Sequence, residues 1–211
     1  ISRVGEIARS FAEWSYASFV IKQLRAGDVF ARDGTLHAPY TNQTKYAEEA
    51  YKTAEARDVD FVGISKTCSL YTSTGLPLVA AIARLARENG ISGSWYYEKV
   101  ADITDPAHKA DLNFVKLNDS SKYILRTEVL KGQETQKERI FGVLASNARD
   151  ISFPGYPYGL VDADKNARVS YRELKPLRML ISSEISKTEN IEGFKEALMA
   201  ADAHDWLNKI V

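Results

Sequence analysis

The stretch Asp28-Val-Phe-Ala-Arg-Asp33-Gly-Thr-Leu36 constrains the fold more than any other. Val29, Phe30 and Ala31 form a short apolar run, closed by Arg32, Asp33 and Gly34. This is the pattern of a short buried strand that stops on an acid, with a glycine free to turn sharply. An acid fixed at the end of a core strand must face water, a metal or a cation. Asp-Gly is also a common turn dipeptide, so the flanking sequence decides. Upstream, Val4, Ile7, Ala8, Phe11, Trp14, Ser18 and Ile21 recur at helical spacing, which predicts a helix over residues 1–26 with Gly27 as its cap. Glu13 shares an apolar stripe with Ala17, Val20 and Leu24. It is either a helix-surface acid paired with a nearby arginine or a metal ligand facing the strand that carries Asp33.

Downstream, helical and strand periodicities alternate, which predicts an α/β class. Helices are expected over 45–57 and 76–88, and strands over 59–64 and 94–98. Residues 114–117, 123–130 and 140–145 read as three antiparallel strands. The strand 59–64 opens into Ser65-Lys66-Thr67-Cys68-Ser69, a polar turn of the kind where open α/β sheets place their sites. Lys66 is a candidate partner for phosphate or carboxylate, or a solvated loop lysine. Cys68 has no His/Asn set beside it and reads as a small, at least half-buried residue. Ser94-Trp-Tyr-Tyr-Glu98 is either core or a surface for stacking bases. Lys122 and Arg126 form either a basic strip or the wet face of their strand. The last third is helical. A helix is expected over 158–166, a second runs from the Ser170/Glu173 capping box to about Ile185, and a closing segment 191–211 is anchored by Phe194, Leu198, Trp206 and Ile210. Without repeats or a clear linker, residues 1–211 are expected to form a single domain.

The charge balance of 28 basic against 28 acidic residues carries no global signal for nucleic acid, so any such site is local. One cysteine in 211 residues excludes an internal disulfide and suits a reducing cytosol. No apolar run approaches the ~18 residues of a membrane span, and no signal peptide is evident.

Four stretches together resemble the NurA family, the nuclease partner of the HerA translocase in DNA end processing. They are Glu13 ahead of Arg32-Asp33-Gly34-Thr35-Leu36, then Ile64-Ser65-Lys66-Thr67, then Gly155-Tyr156-Pro157-Tyr158-Gly159-Leu160-Val161-Asp162-Ala163-Asp164 with Ala167-Arg168-Val169-Ser170, and the closing Ala203-His204-Asp205. The resemblance implies an RNase H-like core of mixed sheet flanked by helices, with a helical C-terminal region. It implies a metal-dependent deoxyribonuclease, with 5′→3′ exonuclease and single-strand endonuclease activity in end resection at double-strand breaks. The expected cofactor is two ions of Mn2+ or Mg2+, consistent with oxygen ligands. The expected partners are DNA, a HerA-type hexameric ATPase and a second copy of the chain, with no membrane. Asp33, Glu13 and Asp164 are implied as metal ligands, Tyr156 as the tyrosine near the scissile phosphate, and Lys66 as a phosphate-stabilising cation. Asp162 and His204 are weaker candidates.

One departure stands out. Family members carry an Asp-Gly-Ser at the end of the first core strand, whose Asp is a principal metal ligand, and nothing before Glu13 supplies it. The resemblance therefore implies either a chain lacking its N-terminal strand or an incomplete site. The alternative function is a catalytically incomplete DNA-binding or adaptor subunit of the same fold.

Overall fold

Alternation along one central strand organises the protein, for which the computed structural model describes residues 2–187 together with Gly193 and Glu196. Strand β2 (Asp60–Ser65) buries both of its faces. Phe61 joins an apolar cluster with Trp14, Ala17 and Ile21 of helix α1 (Ser2–Ile21) and Ala47, Ala50, Tyr51 and Ala54 of helix α2 (Thr44–Ala56). Val62 and Ile64 point the other way, into a second cluster. That cluster includes Ile140, Phe141 and Leu144 of a later helix, Lys137–Asn147, and Tyr156. Successive strand side chains face opposite ways, so one apolar run supplies both layers. Full burial of side chains such as Phe61 and Ile64 contributes ~1.5–3 kcal/mol each.

Strand β1 (Val29–Asp33) lies parallel to β2, joined to it through α2, in the register Asp33 opposite Ile64. After helix α3 (Leu78–Glu88) come β3 (Trp95–Tyr97), β4 (Ala110–Lys116) and β5 (Leu125–Leu130). The five strands lie in the order β1-β2-β5-β4-β3, with every pairing except β1–β2 antiparallel. The Lys137–Asn147 helix is α4, preceded by a short 3-10 turn and followed by α5 (Tyr158–Ala167) and α6 (Tyr171–Ile185). The result is a mixed α/β sheet flanked by helices, consistent with the expected RNase H-like core. The chain divides into two compact units, Arg9–Asp164 and a second made of Ile1–Ala8 with Lys165–Val211. The first holds the whole sheet. In the second, α6 opens on the expected capping box: Ser170 accepts the Glu173 N–H and Glu173 accepts the Ser170 N–H. No described helix is long and apolar enough to cross a membrane.

Two expectations are corrected. Residues 140–145 are not a third antiparallel strand but part of α4. The apolar run is short, and period alone does not separate strand from helix there. What decides is Ile140, Phe141 and Leu144, buried at helical spacing against β2 and β5, with the buried Lys137 reaching Asp111 of β4. Arg126 is neither a basic strip nor a wet face. Its side chain is only 14% exposed and binds the buried Glu128. The expected anchors Phe194, Leu198, Trp206 and Ile210, and His204, lie outside the described residues.

The turn before α5 depends on Gly155. Its φ is +92°, and a Cβ there would collide with the Ser121 side chain. Gly155→Ala is therefore expected to destabilise the protein by ~2 kcal/mol, from backbone strain and displacement of Ser121. Thermal unfolding reads this as a Tm lower by roughly 4–8 °C. An unchanged Tm would show that the turn relaxes freely.

Candidate active site

The alternation of β1 sorts its polar end. Val29 and Ala31 pack on the α4 side, and Asp33 continues that row. Phe30 packs on the α1–α2 side, and Arg32 continues that one. The two neighbours therefore serve different environments.

Asp33 sits half exposed at the strand end, holding a lysine and a tyrosine. Lys66 Nζ is 3.1 Å from its Oδ2, and the Tyr156 hydroxyl donates to its Oδ1 at 3.1 Å. Lys66 also lies over the Tyr156 ring, 4.8 Å from the centroid. Two adjacent parallel strand ends supply the acid and the lysine, and the segment between α4 and α5 supplies the tyrosine. Gly34 permits the turn with a φ of +116°, and its N–H donates to Ile64 O at 2.7 Å. The turn passes so close to β2 that a Cβ on Gly63 would stand 2.7 Å from Gly34 O. Burial above all, then the charge and hydrogen bond of Asp33, then the charge of Asp164, push the Tyr156 phenol well above its ordinary pKa. At neutral pH Tyr156 is therefore a protonated donor, not a base.

On the opposite face, Glu13 is bound by two arginines. Arg32 Nη2 reaches its Oε2 at 2.8 Å, and Arg9, four residues back on α1, reaches Oε1. Arg32 also stacks over Trp14 at 4.6 Å and donates to Thr35 O. The arginine-paired reading of Glu13 thus describes its contacts, and the signal for it was present in the sequence as Arg9 at i−4.

Behind the turn lies a buried network that sequence reasoning missed. Glu128 of β5 is 1% exposed. Its Oε2 accepts the Leu36 N–H at 2.7 Å and lies 2.6 Å from His108 Nε2, while its Oε1 accepts Arg126 Nε at 2.8 Å. Tyr51 completes the hold by donating to Leu36 O. The His37 ring stacks on His108 at 5.3 Å and lies against Asp105, with Nε2 2.9 Å from the carboxylate. Burial, the largest single influence, drives the Glu128 pKa up. The His108 hydrogen bond, the Arg126 and His108 charges and the Leu36 N–H outweigh it and hold the value below ordinary. The only sequence signal was a charged pair, Arg126 and Glu128, inside an alternating strand.

Of the five expected site residues, the structure joins Asp33, Lys66 and Tyr156 directly. Asp164 lies near enough to act on Tyr156 through its charge. Glu13 is held on the Arg32 side. Asp33 has the hard-oxygen chemistry and cation-bearing position that suit a divalent ion. Among the described residues, however, no three His, Cys, Asp or Glu side chains gather closely enough to form a metal cage.

Residues 6–169 match the NurA domain family. The crystal structure of the NurA nuclease from Sulfolobus solfataricus superposes with a TM-score of 0.54 at 16% identity, covering 88% of this chain and 68% of that one. A second NurA crystal structure gives a TM-score of 0.44 at 17% identity, covering 71% of this chain and 36% of that one. No curated protein matches the chain in sequence.

Proposed function

Because the chain belongs to the NurA family, we propose that it is a metal-dependent DNA nuclease. The observation that carries this reading is the Asp33–Lys66–Tyr156 cluster at paired strand ends. The finer reading adds 5′→3′ exonuclease and single-strand endonuclease activity in end resection during double-strand break repair by homologous recombination. It places the chain as a homodimer working with a HerA-type hexameric ATPase. The ion is Mn2+ or Mg2+, with Asp33 as the residue to hold it and Asp164 as a further ligand, whereas Glu13, expected as a third, faces Arg32 on the other side of β1.

A bound divalent ion supplies Lewis-acid stabilisation of phosphoryl charge and an activated water. The chain's own residues divide the remaining work. Lys66 is placed to exchange Asp33 for a phosphate oxygen and to neutralise the charge that builds there. Tyr156 stays protonated and donates a hydrogen bond, first to Asp33 and then to the phosphate or the water. Before substrate arrives, Asp33 holds both in place through its two oxygens.

Incubation of 5′-labelled linear DNA in Mn2+ tests the proposal. Labelled mononucleotide from the 5′ end, with labelled fragments from internal cuts in single strands, both abolished by EDTA, is the expected result. The adaptor reading is favoured by one observation, the engagement of Glu13 by Arg9 and Arg32. Stoichiometric binding to DNA or to the translocase without cleavage would replace the nuclease reading with that one.

A further inference from the structure

Beside the acid site, Tyr156 opens a ladder of rings whose outer two members, Phe153 and Tyr123, the chemistry above does not use. Tyr156 meets Phe153 edge to face, with centroids 5.8 Å apart. Phe153 stacks on Tyr123, 5.9 Å away and only 7° from parallel. Tyr156 is buried, whereas Phe153 and Tyr123 are 41% and 47% exposed. Lysines flank both ends: Lys66 over Tyr156, and Lys122 over Tyr123 at 5.6 Å. A single exposed aromatic needs no explanation. A parallel pair does, when it is continuous with an acid–lysine cluster and carries its own cation.

We infer that the Tyr123–Phe153 pair is a stacking platform for a base of single-stranded nucleic acid, placed next to the phosphate that Asp33 and Lys66 face. Parallel exposed rings offer a π surface that any base can use, so the platform is sequence-tolerant. Lys122 exchanges its ring for a backbone phosphate, which supplies the charge complementarity that the neutral chain lacks as a whole. A duplex keeps its bases stacked on one another, so the platform selects an unpaired strand. The inference rests on the nucleic-acid reading of the same site and assigns the residues on which an unpaired base would stack.

The test is binding of a fluorescein-labelled oligothymidylate by the full chain in EDTA, where no cleavage occurs, read by anisotropy. The comparison probe is an abasic deoxyribose-phosphate strand of equal length and charge. The wild type is expected to prefer the strand with bases about tenfold. Tyr123→Leu and Phe153→Leu should each lose that preference while binding the abasic strand as the wild type does. Tyr123→Phe, which keeps the ring, should restore it, and unchanged Tm values exclude misfolding. Equal wild-type affinity for both probes, no measurable binding of either, or a preference that survives both leucine variants would each overturn the inference. Cleavage in Mn2+ is scored separately. Cleavage without base preference removes the platform and leaves the nuclease. Base preference without cleavage supports the platform and removes the nuclease.

Discussion

Asp33→Asn is expected to lower DNA cleavage by about 10²–10³-fold while leaving the fold intact, the scale seen when one preorganised electrostatic group is removed from an active site. Asn keeps the size of Asp and an oxygen that can accept from the Tyr156 hydroxyl at 3.1 Å. It loses the charge that pairs with Lys66 at 3.1 Å and that would hold a divalent ion. The side chains of Asp33 and Lys66 are 45% and 48% exposed, so their ion pair contributes only ~0–1 kcal/mol to stability. The variant should therefore unfold within a few degrees of the wild type. Single-turnover cleavage of a 5′-labelled single strand in Mn2+, with a parallel melting curve, separates activity from folding. Wild-type cleavage by Asp33→Asn would remove this carboxylate from the chemistry.

The opposite pattern is expected at Glu128. Replacing it with Ala strips a buried carboxylate from Arg126, from His108 and from the Leu36 N–H. Breaking a buried, hydrogen-bonded pair from one side costs ~3–5 kcal/mol, because the remaining partner stays buried without its counter-charge. For a chain of this length, Tm falls by roughly 2–4 °C per kcal/mol, which makes the loss easy to read. The sign with pH follows from the lowered Glu128 pKa. The unfolded group titrates near its ordinary 4.5, and the folded one below it. The stabilisation is fully present above about 4.5 and is lost as pH falls through the folded value. Denaturant unfolding of wild type and Glu128→Gln, from neutral pH down through the acid range, should show two curves that converge at low pH. A constant gap would mean that Glu128 acts by packing alone, and no gap at neutrality would sink the network as a source of stability.

Much of this architecture was legible because it is local. The β1 run, the turn at Gly34, the β2 strand opening on Lys66 and the Ser170 capping box each declare themselves within a few residues. The α/β class and the NurA resemblance followed from their order. Helix α4 was misread because Ile140–Ala145 is apolar without a clear period, and only its packing settles it. Arg126 was misread because strand alternation assumes one wet face, whereas β5 is a central strand covered on both sides. The candidate site was legible as residue types and not as geometry. Sequence spacing places Glu13 near β1 but cannot reveal that Arg32 and Asp33 face opposite ways from adjacent positions, so that Glu13 meets Arg32. The Asp33–Tyr156 contact spans 123 residues and leaves no local trace.

The bond from Leu36 N–H to Glu128 crosses 92 residues of chain. The turn that carries Asp33 is therefore fastened by the last strand of the sheet to be synthesised as well as by Arg32 and β2 beside it. Contacts of such long separation form only after loop closure, late on the folding path. A nascent chain released only as far as β4 has the acid, the lysine and the glycine turn, but not the carboxylate that holds that turn. Assembly order thus sets the acid site in two stages: β5 brings Glu128 to the turn, and the later segment before α5 brings Tyr156 to Asp33.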